Sequence, residues 1–325
     1  MKAINPHFRS LKTSFFSVGT LVLLASASAS AGTTTVFAPG VTRESGWYDV
    51  NKKSTEQRSE KDFTYCWAAS ASNLIDYWES RYVAAGNNLP NTIPSLNDSL
   101  GGYESSTFDI FLDDSNWNSV VNGSSRGADQ RVALKWYFNG EGHTFSGNYA
   151  LPVPGTGGYW KSEYTTIQKQ LGDNFIQDEI SGYSTWGGYA SDKSVSTIKI
   201  FSEVIQNILS KGAAGFGANT SLRGGHAFTL WGADFDSVGL VTKVYITDSD
   251  DAERTLTASG LREYEITYDD FKREIYLSNT DYGNKNLITN LYGLSVYPIP
   301  EPSAFGLLAG VFAVGMACSR RKARR

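Results

Sequence analysis

Between residues 213 and 297 the chain reads as one strand after another, and that run limits its possible folds more than any other feature. The segments 213–218, 226–233, 240–247, 262–267 and 287–297 are each bounded by Gly, Asp or Asn, the punctuation expected of strands joined by turns. Residues 234–239, Asp-Phe-Asp-Ser-Val-Gly, join two of them as a hairpin loop. Upstream the periodicity is helical. Ala71, Leu74, Ile75, Trp78 and Tyr82 recur three and four apart, which predicts a helix over 68–83 with one face packed inward. Further helices are expected over 129–138, 164–171 and 194–209, and a short strand at 46–50 within an extended lead-in. Helices first and an antiparallel sheet afterward predict an α+β chain. Trp47, Trp78, Trp136 and Trp231 are read as core or cleft walls.

Both ends look removable. Lys2, Arg9 and Lys12 precede an apolar run over 15–25 and the small-residue pattern Ala29-Ser30-Ala31, which marks 1–31 as a signal peptide. At the other end Pro300-Glu301-Pro302-Ser303 is followed by an apolar stretch, 304–318, and the basic residues Arg320, Arg321, Lys322, Arg324 and Arg325. Those fifteen residues fall short of the roughly 20 that a comfortable span needs. Residues 300–325 closely resemble a PEP-CTERM sorting signal. The resemblance implies processing by an exosortase, transient membrane anchoring by 304–318, and a destination at the cell surface or extracellular matrix. An ordinary single-pass anchor is the alternative. Residues 32–299 are then expected to form one domain with a variable middle region at about 87–193.

Setting aside the eight basic residues and one acidic residue of the two ends leaves 21 basic against 32 acidic residues, a balance near −11. So acidic a domain has little to offer a phosphate backbone, which argues against nucleic acid as a partner.

Without the tail, and with it Cys318, a single cysteine remains. An unpaired thiol in an exported protein points either to an intermolecular bridge or to reactivity. Cys66 opens a helix in Tyr65-Cys66-Trp67-Ala68-Ala69-Ser70, where thiolate is favoured. Two histidines could serve as its base: His143 in a Gly-flanked loop, and His226, which follows Gly224-Gly225 and begins an apolar strand. His226 is preferred. The paired strand ends at Thr247-Asp248-Ser249-Asp250-Asp251. Alternation directs Asp248 and Asp250 to one face, so either could orient the imidazole while the other supports it. Such a cluster can also be a solvated turn or a calcium loop. An EF-type loop starting at Asp234 would need an oxygen ligand at Val238 and a Glu at Tyr245, and has neither. The Cys66 N–H is one donor for an oxyanion. A second is not chosen by composition.

Four blocks in order carry a resemblance: Gly46-Trp47-Tyr48-Asp49-Val50-Asn51-Lys52; Cys66-Trp67-Ala68-Ala69-Ser70-Ala71-Ser72-Asn73; His226 leading into Leu230-Trp231-Gly232-Ala233-Asp234-Phe235-Asp236; and Tyr245-Ile246-Thr247-Asp248-Ser249-Asp250. Together they resemble the IdeS/Mac family of immunoglobulin-degrading cysteine endopeptidases. The resemblance implies a papain-like fold with the nucleophile helix packed on a mainly antiparallel sheet. It puts the nucleophile at Cys66, the base at His226, the triad acid at Asp248, the supporting acid at Asp250 and the oxyanion lysine at Lys52. It implies a protein or peptide substrate and no metal or organic cofactor. A binding module with an inert Cys66, or another acyl-transfer enzyme, are the competing readings.

Overall fold

The computed structural model describes residues 32–52, 64–91, 93, 105–118, 120–121, 124–125, 127–141, 149–172, 175–176, 180–181, 196–220, 224–250 and 260–297. Strand β1 (Thr34–Phe37) precedes helices α1 (Cys66–Ala84) and α2 (Ser106–Leu112). The short strands β2 (Trp117–Asn118), β3 (Val120–Val121) and β4 (Ser124–Ser125) lead to α3 (Gln130–Asn139). Then come β5 (Leu151–Pro152), α4 (Tyr164–Leu171), β6 (Ile180–Ser181) and α5 (Thr197–Leu209). Six long strands follow: β7 (Gly212–Thr220), β8 (Gly224–Phe235), β9 (Val241–Thr247), β10 (Arg262–Asp269), β11 (Glu274–Thr280) and β12 (Gly283–Ser295).

Each of β7 to β12 pairs antiparallel with the next, and β12 pairs back onto β7. The six therefore close into a barrel. This corrects the expected papain-like α+β fold with a nucleophile helix on a mainly antiparallel sheet. The reason lies in β11, which the turn-residue pattern passes over. Its entry turn, Asp270-Phe271-Lys272-Arg273, contains no glycine or asparagine, and Arg273 itself takes the left-handed conformation at φ 59°. Five strands would have left two free edges; the sixth joins β10 to β12 and removes them.

Strand β8 is the hinge of the barrel. From Gly224 to Leu230 it pairs with β7, and from Gly232 to Phe235 the same side pairs with β1. Register shifts at Leu230/Gly232 and Asp234/Phe235 bend it between the two. Gly232 is required there, because a Cβ would fall 2.3 Å from the Phe37 ring. The ends of β7, β9 and β11 and the starts of β8, β10 and β12 share one rim.

Helix α1 lies against β8 and β7, held by a buried polar seam. The Asn73 amide donates to Thr229 Oγ1 (3.1 Å) and Thr247 Oγ1 (3.3 Å), and its oxygen accepts the Val50 N–H (2.8 Å). Thr229 Oγ1 donates to Ser70 Oγ, which donates to the Phe228 carbonyl. One side chain thus ties the helix, two barrel strands and the lead-in together. The strand expected at 46–50 does not form; only Val50 makes an isolated bridge. The expected helices correspond to α1, α3, α4 and α5, whereas β1 and α2 were not foreseen. Trp78, Trp136 and Trp231 are fully buried, Trp78 between Phe138, Trp160 and Phe175.

Two carboxyl groups are buried on another face of α1. Asp76 accepts from Ser105 and Thr107, which docks the start of α2. Glu79 Oε1 accepts the Tyr137 hydroxyl (2.9 Å) and the Trp160 indole N–H (3.0 Å). Burial, with the Asp76 charge adding to it, pushes Glu79 up to about 8; burial alone lifts Asp76 to about 6. Among the described residues no helix is long and apolar enough to cross a membrane; the 1–31, 53–63 and 300–325 segments, His143 and most of 177–195 lie outside them.

Asn73→Ala should lower unfolding stability by about 3 kcal/mol, because it leaves the buried Val50 N–H without its acceptor and removes the amide's bonds to Thr229 and Thr247; urea denaturation measures it. Glu79 has a folded pKa above its unfolded 4.5, so the native state holds a proton that the unfolded chain has lost. Stability should therefore fall as pH rises from about 4.5 to 8, by up to roughly 4 kcal/mol. Glu79→Gln, which keeps the accepting oxygen, should flatten most of that slope in urea melts across this range.

Candidate active site

His226 is the third residue of β8, whose first residue, Gly224, takes the left-handed conformation at φ 76°. Across the ladder it faces Ala218, a residue too small to displace the imidazole. The ring packs edge-on against Phe228 at 4.6 Å and beside Tyr282 at 5.0 Å. Its Nε2 lies 2.7 Å from Asp248 Oδ1, with both side chains buried. Asp248 also accepts the Asp250 N–H (3.0 Å) and, at Oδ2, the Tyr282 hydroxyl (2.6 Å). The carboxylate is thereby oriented from three sides.

With Nε2 committed to Asp248, the other ring nitrogen is left for the thiol, and Cys66 is hydrogen-bonded to His226. Cys66 is the first residue of α1 and half-buried. Its N–H belongs to the first turn, where donors have no partner within the helix. Lys52 reaches the same place by a different route. Its N–H donates to the Ser249 carbonyl (2.8 Å), and its Nζ lies 2.7 Å from Asp250 Oδ1, both side chains being essentially inaccessible.

Burial pushes the Cys66 thiol up, yet the His226 hydrogen bond and the charges of His226 and Lys52 more than reverse it, so the group sits below its ordinary value of 9.0. For His226 burial acts downward, and Asp248, then Cys66, overcome it and raise the imidazole to about 10. Burial likewise opposes ionisation of Asp248, and the imidazolium with its hydrogen bonds holds the carboxyl below its ordinary range. The three groups favour one charge state: thiolate, imidazolium, carboxylate.

His226, Asp248 and Asp250 bring ligand atoms within 4.8 Å of one another, a spacing a metal could use. Each carboxylate already faces a cation, the imidazolium or the Lys52 ammonium, so the charge is met by the protein's own groups. Beside the thiol opens a cleft of about 570 Å³, lined in part by Lys52, Cys66, Trp67, His226 and Asp250.

All five residues singled out in the sequence meet here. Asp248, rather than Asp250, contacts the imidazole; Asp250 holds Lys52. Tyr282 escaped the sequence reading because its Asp281-Tyr282-Gly283 setting looks like an ordinary turn between strands. Asn73 stood within a resemblance block without an assigned role.

The Mac 1 family model matches residues 192–284, a stretch that includes His226, Asp248, Asp250 and Tyr282 but neither Cys66 nor Lys52. The match supports a likeness to the IdeS/Mac family and to peptidase chemistry at that broad level. The IgM protease of Streptococcus suis (strain P1/7) is 26% identical over 246 residues, covering 69% of this chain. The chain spans only about a fifth of that protein, 19% of its length.

Iodoacetamide should alkylate Cys66 rapidly well below pH 9. In His226→Ala burial is left to dominate, so labelling at pH 6 should drop by roughly tenfold or more and recover only in alkali. Mass-spectrometric labelling rates from pH 5 to 10 decide it. Rates indifferent to His226 would mean that the thiol is merely packed.

Proposed function

We propose that this chain is an exported cysteine endopeptidase that hydrolyses peptide bonds of a protein substrate. The observation that carries the reading is the buried relay from Cys66 through His226 to Asp248, opening onto a cleft with a lysine at its edge. The Cys66 thiolate attacks the peptide carbonyl carbon, and the carbonyl electrons move onto oxygen. Lys52 Nζ and the Cys66 N–H stabilise that oxyanion. The imidazolium gives its proton to the leaving nitrogen as the C–N bond breaks, which leaves a thioester. Water then loses a proton to neutral His226 and attacks the thioester, expelling the thiolate and restoring the ion pair. Asp248 keeps the imidazole oriented and charged, with Tyr282 steadying Asp248, while Asp250 holds Lys52 in place.

Export is supported by the signal-peptide pattern in 1–31, and surface delivery through an exosortase by the resemblance of 300–325 to a sorting signal. No cofactor takes part. Immunoglobulin is not carried over as the substrate, given how small a share of the streptococcal protein the chain spans.

Incubation of the full chain with a diverse peptide library, read by mass spectrometry, should yield new termini. Cys66→Ala should reduce cleavage at least a thousandfold, and Lys52→Ala should lower kcat by about a hundredfold. Incorporation of an added primary amine without chain cleavage would replace the peptidase by an amine-transferring enzyme, and no reaction at all would leave a binding module.

A further inference from the structure

Away from the thiol, the cleft wall carries polar groups that the catalytic relay does not use. Gln130, the first residue of α3, is 3% exposed, and neither its Oε1 nor its Nε2 has a hydrogen-bond partner among the described residues. Asn290 Oδ1 on β12 is likewise buried without a partner. Both residues line the cleft, as does Thr289.

Their placement follows from two local features. The β7–β12 register shifts between Ile288 and Asn290, so Thr289 is the extra residue of a bulge, which re-aims neighbouring side chains. Opposite, β7 carries Gly215 and Gly217 on one face. A Cβ at Gly215 would lie 2.1 Å from Gln130 Oε1, and one at Gly217 would lie 2.3 Å from Asn290 Oδ1. The two glycines thus clear the space that the amides occupy. Two residues along a strand separate the amides by on the order of 7 Å, a gap that one small planar group can bridge with hydrogen bonds of about 2.9 Å at each end.

The unmatched atoms are one amide nitrogen, Gln130 Nε2 with its N–H donors, and two acceptor oxygens, Gln130 Oε1 and Asn290 Oδ1. A primary carboxamide presents the complement, one acceptor and two N–H donors. A carboxylate offers no donor, an ammonium no acceptor, and an apolar group neither. Leaving such buried groups unmatched is costly, so a site of this kind discriminates strongly against analogues that lack them.

We propose that Gln130 and Asn290, beside Thr289 and over Gly215 and Gly217, form a specificity subsite for a carboxamide side chain, Asn or Gln, of an extended peptide bound next to Cys66. This rests on the peptidase reading and adds to it the class of residue recognised.

The test uses the full chain and does not depend on turnover. N-acetylated tetrapeptide amides are compared in sets that carry Asn, Gln, Asp, Glu, Leu or Lys at each position in turn. The readout is the slowing of iodoacetamide alkylation of Cys66. Carboxamide peptides should protect at concentrations at least tenfold below those of their acid, apolar and basic counterparts, at one position only. Gln130→Leu should erase that advantage; Asn290→Ala, on a partly exposed strand residue, should reduce it and serves if the first variant fails to fold. Equal protection by all side chains, protection by none, or a preference that survives both substitutions overturns the subsite. The peptidase reading is judged separately, by the His226 dependence of labelling and by the appearance of new termini, so the two failures are distinguishable.

Discussion

The side-chain amide of Asn73 is the contact on which the site depends. It sits two turns beyond Cys66 and satisfies, at once, the lead-in backbone at Val50 and hydroxyls on β8 and β9. Each connection locates one participant. The bond to Val50 sets the height of Lys52, two residues on; the bond to Thr229 sets α1 against the strand that carries His226; the bond to Thr247 sets it against the strand that runs into Asp248. An apolar residue of the same size could fill the volume but could not specify the register, because dispersion is nearly indifferent to small slips while paired hydrogen bonds are not.

Closure of the sheet has a matching effect on the acids. Asp248 and Asp250 follow β9, and Tyr282 lies in the turn from β11 to β12. In an open sheet these would belong to separate strands with a free edge between them. The barrel brings their shared rim round to His226 at the start of β8. There the carboxylate of Asp248 gathers the imidazolium, the Tyr282 hydroxyl and a backbone N–H. A buried carboxylate needs that many partners to stay ionised.

Much of this was legible in the residues, for identifiable reasons. A single cysteine at a helix start, two candidate histidines and one acidic strand end left few combinations, and helical spacing around Leu74, Ile75 and Trp78 marked α1 closely. The barrel was not legible. Its sixth strand, β11, enters through a turn whose left-handed residue is Arg273 rather than glycine, so no punctuation marked it. Nor could alternation alone divide the labour between Asp248 and Asp250, because both faced the right way and only the lead-in decides which meets a lysine. Tyr282 and Gln130 carry no local signal; they matter through what folding sets beside them.

The two halves of the charge pair come from opposite ends of the domain. Cys66 and Lys52 belong to its first forty residues, His226 and Asp248 to the barrel, about 160 positions later. Burial opposes ionisation of the thiol, and the imidazolium supplies the main compensation. An unfolded or half-folded chain therefore carries an ordinary cysteine. Contacts of such long sequence separation are slow to form, so the setting that favours the thiolate is complete only when the helix that carries Cys66 and the barrel that carries His226 have come together.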